Sequence, residues 1–409
     1  VSLAERRGQR LFVFSAMFFA QGIGWSFMAI EIPAYIGARG MTLAATGTVL
    51  AITVLPYAFK WVWGPLMDAF TIERFGRRRP WLIFSQAMMA VSAAALLAVD
   101  DFVGNFDLLL GAMLVHTIFN AMQNVAVDAL ALDLLPPAER GRANGIMYGS
   151  KYAGGLAGAA GMATLIEYVG MRGAIAAMVA VLAAITLVPL LVREHHEPPP
   201  PRRKLAEIIG SLGKVARLRS VQLAALLMLV HNIAGGMLAA VSPVLFTQQL
   251  RWEDTEYSQI AGGPGLVAGF VGSLLAGFLA DKVGHKKLAA IAVAALGVLW
   301  LGFALGESMW TSRAFTYPLF VLEPFAQSTM IVALWSVCMD TTTKRTSTTQ
   351  FALYTSLMNA STLIGTKLLA GHASAWWTYR GMYLVAAAVQ VAALAIVPFI
   401  DPEQARREL

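Results

Sequence analysis

The sequence predicts an all-α membrane protein of twelve transmembrane helices in two pseudo-symmetric six-helix halves. Three observations carry that expectation: apolar runs of about twenty residues recur along the chain, basic residues gather in alternate loops, and one Gly–Asp–basic motif occurs twice. Of 409 residues 57% are hydrophobic and 13% charged, about half the charge of a soluble domain, which excludes a soluble enzyme. A hydrocarbon core of about 30 Å takes about 20 helical residues to cross, so each apolar run is long enough to span it. The net charge of +7 reports orientation here rather than nucleic-acid binding, because of where it lies. The lone Cys338 excludes an intrachain disulfide and a cysteine-rich metal site.

Breaks at glycine, proline and charge place the spans near 11–36, 45–68, 81–99, 108–133, 143–167 and 173–192, then near 220–247, 257–280, 288–306, 314–340, 348–371 and 379–400. Arg6, Arg7 and Arg10 precede the first run with no small-residue cleavage site after it, so it reads as a retained span. The stretch 193–219 is the longest polar one and contains a Pro-rich run that cannot cross a bilayer. It separates an N-terminal half, 1–192, from a C-terminal half, 220–409; His195 and His196 within it read as solvated surface rather than metal ligands. With the amino terminus inside, 23 of the 31 basic residues fall in cytoplasmic segments, which places both termini in the cytoplasm.

Gly64 and Asp68 recur as Gly277 and Asp281 at an offset of 213, Asp133 as Asp340 at 207, and Tyr148 and Ser150 as Tyr354 and Ser356 at 206. Two parallel halves related about the membrane normal follow. The run Gly64-Pro65-Leu66-Met67-Asp68 with Gly76-Arg77-Arg78-Arg79, and its copy Gly277 to Asp281 with Lys282-Val283-Gly284-His285-Lys286-Lys287, resemble the signature of the major facilitator superfamily. Lys60-Trp61-Val62-Trp63 leading into that run, Gln123-Asn124-Val125-Ala126-Val127-Asp128-Ala129, and Glu139-Arg140-Gly141 are similar to the branch of muropeptide permeases and acetyl-CoA transporters. That branch usually has Asp where this chain has Asn124, so a titrating role there is lost.

The resemblance implies a conformational latch at Gly64, Asp68, Arg77, Arg78, Gly277, Asp281 and Lys282, and a central cavity lined by spans 1, 4, 7 and 10. It further implies proton-coupled import of anhydro-muropeptides across the bacterial inner membrane by rocking of two halves, in a functional monomer. A siderophore or a CoA thioester is the alternative cargo, and a non-transporting membrane sensor the alternative class.

Ionisable groups inside spans usually face the bundle interior. His116, Asn120, Asn124 and Asp128 recur every four residues and form one stripe of span 4. A sugar or peptide needs amides and flat apolar rings around it, which makes Gln21, Trp25, Asn120, Gln123, Asn124, His231, Asn232 and Gln327 candidate substrate contacts; their bland role is interhelical hydrogen bonding. Lys151, too deep to snorkel to the cytoplasm, joins them as an attractor of an anionic group. Lys60 is expected in the cluster near Asp68, and Lys367 at the outer Trp376–Trp377 belt. Asp128, Glu31 and Glu323 are the candidates for proton coupling, with a static pair to Lys151 or Lys60 as the alternative for Asp128. Gly154, Gly155, Gly158 and Gly161 read as a close helix-packing seam, and Gly262 to Gly265 as a kink or bend. No catalytic triad, nucleotide loop, haem motif or metal-ligand cluster is present, so no enzyme, cofactor or metal is expected. The expected partners are a small polar substrate, protons and the lipid bilayer, and no nucleic acid.

Overall fold

A computed structural model describes residues 3, 5–41, 43–70, 76–194, 205–343, 346–366, 378–404 and 407. His195, His196, Lys367, Trp376 and Trp377 lie outside the described residues. The described chain is helical: α1 Arg7–Gly37, α2 Thr48–Ala69, α3 Arg79–Ala98 and α4 Phe106–Leu134, then α5 Arg140–Leu156, α6 Met162–Leu191 and α7 Leu205–Val215. After these come α8 Arg219–Gln249, α9 Gln259–Val283, α10 His285–Leu305 and α11 Arg313–Thr341, α12 Ser347–Ile364 and α13 Tyr379–Phe399.

Among the described residues ten helices are long and apolar enough to cross a membrane. The difference from twelve has two sources. The expected fifth and sixth spans run together as one helical stretch, Pro137–Leu191, of 55 residues. Unbroken it would extend about 80 Å, well beyond a core of about 30 Å. It is broken at Gly170, whose φ of 71° and ψ of 172° leave the helix, a conformation almost confined to glycine. The expected eleventh span, 348–371, is helical over Ser347–Ile364, and its last residues lie outside those described.

Local irregularities follow from the sequence. Pro33 has no N–H to give to the preceding turn, and α1 passes through a π-turn, Phe27–Glu31, before it, the Ile32 N–H reaching back to the Phe27 carbonyl. The same device, Leu245–Gln249, follows Pro243 in α8. Gly263 interrupts α9, with φ and ψ both −90° ahead of Pro264, so the expected bend at Gly262 to Gly265 is present. The expected glycine seam is present in part: Gly154 packs on the backbone of Phe19 and Gly158, just beyond α5, on that of Ile23, whereas Gly161 is exposed and has only its own helix within 4 Å.

The chain forms two compact units that interleave in sequence. Unit 1 is Val1–Leu135, Ser150–Ser211 and Lys344–Ala352; unit 2 is Pro136–Gly149, Leu212–Thr343 and Leu353–Leu409. Within unit 1 the core is Ile23, Phe27 and Met28 of α1 with Met89 of α3, Met113 of α4 and Met178 of α6, all at most 2% exposed. Phe12, Phe84 and Leu187 are exposed, as hydrocarbon-facing positions of a membrane helix require.

Candidate functional site

In unit 1 the stripe of α4 is buried, with His116 and Asn120 at 0% exposure, Asn124 at 2% and Asp128 at 3%. Gly24 of α1 allows this closeness, since a Cβ there would stand 2.8 Å from His116 Nε2 and 3.0 Å from Asn120 Nδ2. Gln21 Nε2 donates to Gln123 Oε1 at 2.6 Å, and Asn124 Nδ2 donates to Gln21 Oε1 at 3.0 Å. Gln123 Nε2 donates onward to Gln86 Oε1 of α3 at 3.0 Å and to the Met17 carbonyl at 3.2 Å. Asn120 Oδ1 accepts from the Tyr57 hydroxyl of α2 at 2.7 Å. These amides therefore tie four helices together, at about 1 kcal/mol or less per contact. Trp25 is half-buried one turn beyond Gln21, and Glu31 is half-buried at the end of the π-turn.

Lys60 does not join Asp68. It is 2% exposed, and its Nζ donates to Asn124 Oδ1 at 2.5 Å. The reason is local: α2 tightens to a 3-10 turn over Lys60–Val62, with Phe59 at φ −103° and ψ 5° outside the helical region. Lys151 of α5 lies with Nζ 5.8 Å from the centre of the Tyr57 ring, a cation–π contact. Asp128 is one turn along α4 from Asn124, and neither of its oxygens has a hydrogen-bond partner among the described residues. Lys60 and Lys151 are the charged side chains that act on it.

Unit 2 holds a second polar cluster. Asn232 and Gln327 converge over Gly235 of α8, where a Cβ would stand 2.8 Å from Asn232 Oδ1 and 3.0 Å from Gln327 Nε2. Asn232 Nδ2 also donates to Thr362 Oγ1 of α12 at 2.6 Å. His231 is fully buried; its carbonyl accepts from Gln390 Nε2 at 2.9 Å, and neither ring nitrogen has a hydrogen-bond partner among the described residues. Glu323 accepts from Trp300 Nε1 at 3.1 Å.

The two Gly–Asp motifs build matching clusters, one in each unit. In unit 1, Asp68 accepts from the Thr349 N–H at 3.2 Å and its hydroxyl at 2.8 Å, in the first turn of α12. Gly64 lets that turn approach, a Cβ there standing 2.6 Å from Thr349 Cα. Arg78 bridges Asp68 at 2.7 Å and Asp133 at 2.8 Å, and Arg77 reaches the same two at 3.2 and 3.6 Å. Burial opposes the charge on Arg78, but Asp133 and Asp68 outweigh it and hold its pKa above the ordinary value. In unit 2, Asp281 accepts from the Gly141 and Arg142 N–H groups at 2.9 and 3.0 Å, at the start of α5, with Gly277 packed on Gly141 and Gly145. A carboxylate at a helix amino terminus is favoured by the dipole and the open N–H groups there. Asp340 pairs with Arg140 at 2.8 Å and with His285 at 2.5 Å, while Lys282 is exposed.

Sequence reasoning did not single out Tyr57, Gln86, Thr349, Arg140 or His285 as site residues. Two carried a signal: Gln86 is an isolated amide in an apolar span, and His285 follows Gly284 as Arg77 follows Gly76. Those two glycines share positive φ, 103° at Gly76 and 96° at Gly284. Among the described residues no group of three His, Cys, Asp or Glu side chains could hold a metal ion.

The fold is shared with known transporters. A point variant of the E. coli fucose:proton symporter FucP gives a TM-score of 0.76 at 14% identity, covering 96% of this chain and 98% of its own. The proton:xylose symporter XylE gives 0.73 at 13% identity, covering 97% of each. By sequence, the Anhydromuropeptide permease of Escherichia coli (strain K12) is 24% identical over 400 residues, 93% of this chain and 77% of that one. A Rickettsia conorii protein called AmpG 4 is 24% identical over 405 residues, 96% of each. The family profile described as Major Facilitator Superfamily matches residues 13–366 and 223–408. The match takes in both Gly–Asp motifs and both polar clusters, and the chain belongs to the Major Facilitator Superfamily.

Proposed function

We propose that the chain is a proton-coupled secondary transporter importing anhydro-muropeptides across a bacterial inner membrane. In this proposal it is a monomer of twelve helices in halves 1–192 and 220–409, joined by 193–219, with both termini cytoplasmic, and it works by alternating access. The substrate rests on the E. coli permease, alike over 93% of this chain; the relatives compared are named for muropeptides or AmpG rather than for siderophores or CoA thioesters. Proton coupling is supported by the names of the FucP and XylE neighbours.

The observation that carries the proposal is Asp128, a carboxylate 3% exposed within a membrane span with neither oxygen hydrogen-bonded among the described residues. An ionisable side chain at membrane depth is costly, and where it occurs it marks a substrate or proton path. In unit 1 Trp25 and Lys151 are the proposed substrate contacts, in unit 2 Asn232 and Gln327, and each unit's Gly–Asp cluster serves as a latch element. The test is uptake of labelled anhydro-muropeptide by proteoliposomes with and without an inward proton gradient. Gradient-driven accumulation that Asp128→Asn abolishes, while counterflow persists, is expected. Equal accumulation by the variant, with normal pH dependence, removes Asp128 from coupling; no uptake by folded, reconstituted protein removes the muropeptide.

A further inference from the structure

Beside Asp128, unit 1 holds two lysines against one carboxylate. Lys60 comes from α2 and Lys151 from α5. The other acids at this end of α2 and α4, Asp68 and Asp133, are engaged by Arg77 and Arg78. The cluster therefore holds one more positive charge than it has carboxylates to pair with it. The three groups are adjacent without being locked together. Lys60 donates to Asn124 at 2.5 Å and Lys151 rests over the Tyr57 ring, while both oxygens of Asp128 lack a hydrogen-bond partner among the described residues. An ammonium has three donors, so each lysine can serve a further acceptor.

We infer that Lys60 and Lys151 form a site for one anionic group, a carboxylate or phosphate, of the transported solute, and that Asp128 is the internal counter-anion this group replaces. The inference rests on the transporter proposal above and names the chemistry of that same site. As the anionic group arrives, the Asp128 carboxylate takes up one proton and becomes a neutral acid. Two ammoniums and one anion are present before and after, so the site carries the same charge empty and loaded. An arriving anionic group takes over the lysine donors, which leaves the Asp128 carboxylate without a counter-charge at membrane depth, and the proton removes that charge.

The titration of Asp128 is governed by what faces it. Lys60 of α2 and Lys151 of α5 are the charged side chains that act on it, and the groups next to those lysines, the Asn124 amide and the Tyr57 ring, are neutral. The only ionisable side chain of α3 is Arg79, whose donors go to the Pro189 and Leu190 carbonyls. Those of α1 nearest Gln21 are Glu31, ten residues along, and Arg10, eleven residues back, each about 15 Å away along the helix.

The experiment is infrared difference spectroscopy of the full chain in lipid nanodiscs, following the protonated-carboxyl band. The probes are inorganic phosphate, anhydro-muropeptide, and anhydro-muropeptide with its carboxyls amidated. A charged probe is expected to raise the band and the amidated compound to leave it unchanged, with the rise absent in Asp128→Asn. Lys151→Gln weakens half-saturation about 30-fold or more, and Lys151→Arg restores it. Lys151 is the main variant because Lys60 also holds Asn124 in place, so Lys60→Gln is read only where it folds. If phosphate raises the band and muropeptide neither raises it nor protects against thermal unfolding, the anion site stands and the muropeptide proposal falls. If muropeptide protects the wild type and Lys151→Gln equally with no change in the band, the muropeptide proposal stands and this inference is overturned. A rise of equal size with the amidated compound, or no response to either charged probe, also overturns it.

Discussion

Arg78 is the side chain on which the most charge converges. It is fully buried between Asp68 and Asp133 and also donates to the Met67 carbonyl at 2.8 Å. Arg78→Met leaves two carboxylates facing Arg77 alone, and a broken buried pair costs about 3 to 5 kcal/mol. We expect a large fall in the midpoint of thermal unfolding in detergent, and only partial recovery with Arg78→Lys, because an ammonium cannot reproduce the planar fork. An unchanged midpoint in Arg78→Met would show that Arg77 and Thr349 hold Asp68 without it. The same residues mark what the sequence reveals at this scale. The four-residue stripe of α4 was legible from periodicity, and the repeat of Gly64 and Asp68 as Gly277 and Asp281 from their common offset. The partners were not: Gln123, expected beside the stripe, is the hub that reaches Met17 and Gln86, and Lys60, expected at Asp68, turns to Asn124. Spacing along one helix says which residues share a face, but not which neighbouring helix that face meets.

At the scale of the element, two glycines separate two physical roles. Gly154 has ordinary helical geometry, yet a Cβ would run into the Phe19 carbonyl of α1. Gly170 has open space around it but a φ of 71°. Gly154→Val is therefore expected to force α5 off α1, at about 1 to 3 kcal/mol for overpacking. Gly170→Ala strains only the backbone, at about 1 to 3 kcal/mol. The two are told apart by size: at Gly154 the loss grows with the side chain because its Cβ meets the Phe19 backbone, whereas at Gly170, with open space around it, Ala and Leu cost about the same. Midpoints of thermal unfolding measure both. If Gly154→Val unfolds like the wild type, α1 and α5 separate more easily than their packing implies. The seam was legible because small residues at helical spacing have few other uses in a membrane helix. The break at Gly170 was legible from the glycine and charge that part the apolar runs 143–167 and 173–192, whereas the π-turns before Pro33 and after Pro243 depend on how each helix absorbs its proline.

For the whole molecule, the number of crossings decides on which side of the membrane every loop lies. With the amino terminus inside, two crossings between 137 and 191 return the chain to the cytoplasm before α7, whereas one crossing leaves α7 outside. A crossing by the segment that begins with α12 likewise decides the side of the carboxyl terminus. Cys338 is the sole cysteine and is buried, so a Cys338→Ser background gives a clean reporter. Single cysteines at the exposed positions Asp101, Lys214, Ser308 and Glu403 test each step with a membrane-impermeant maleimide on intact cells. Twelve crossings require Asp101→Cys and Ser308→Cys to label from outside, and Lys214→Cys and Glu403→Cys to label only after permeabilisation. Labelling of Lys214→Cys on intact cells would mean that Gly170 bends one span instead of joining two. Labelling of Glu403→Cys alone would leave the two-fold repeat of the motifs intact but give the second half five crossings. The distribution of basic residues favours the first outcome, because each segment it places inside carries at least two of them and every outer loop carries one or none.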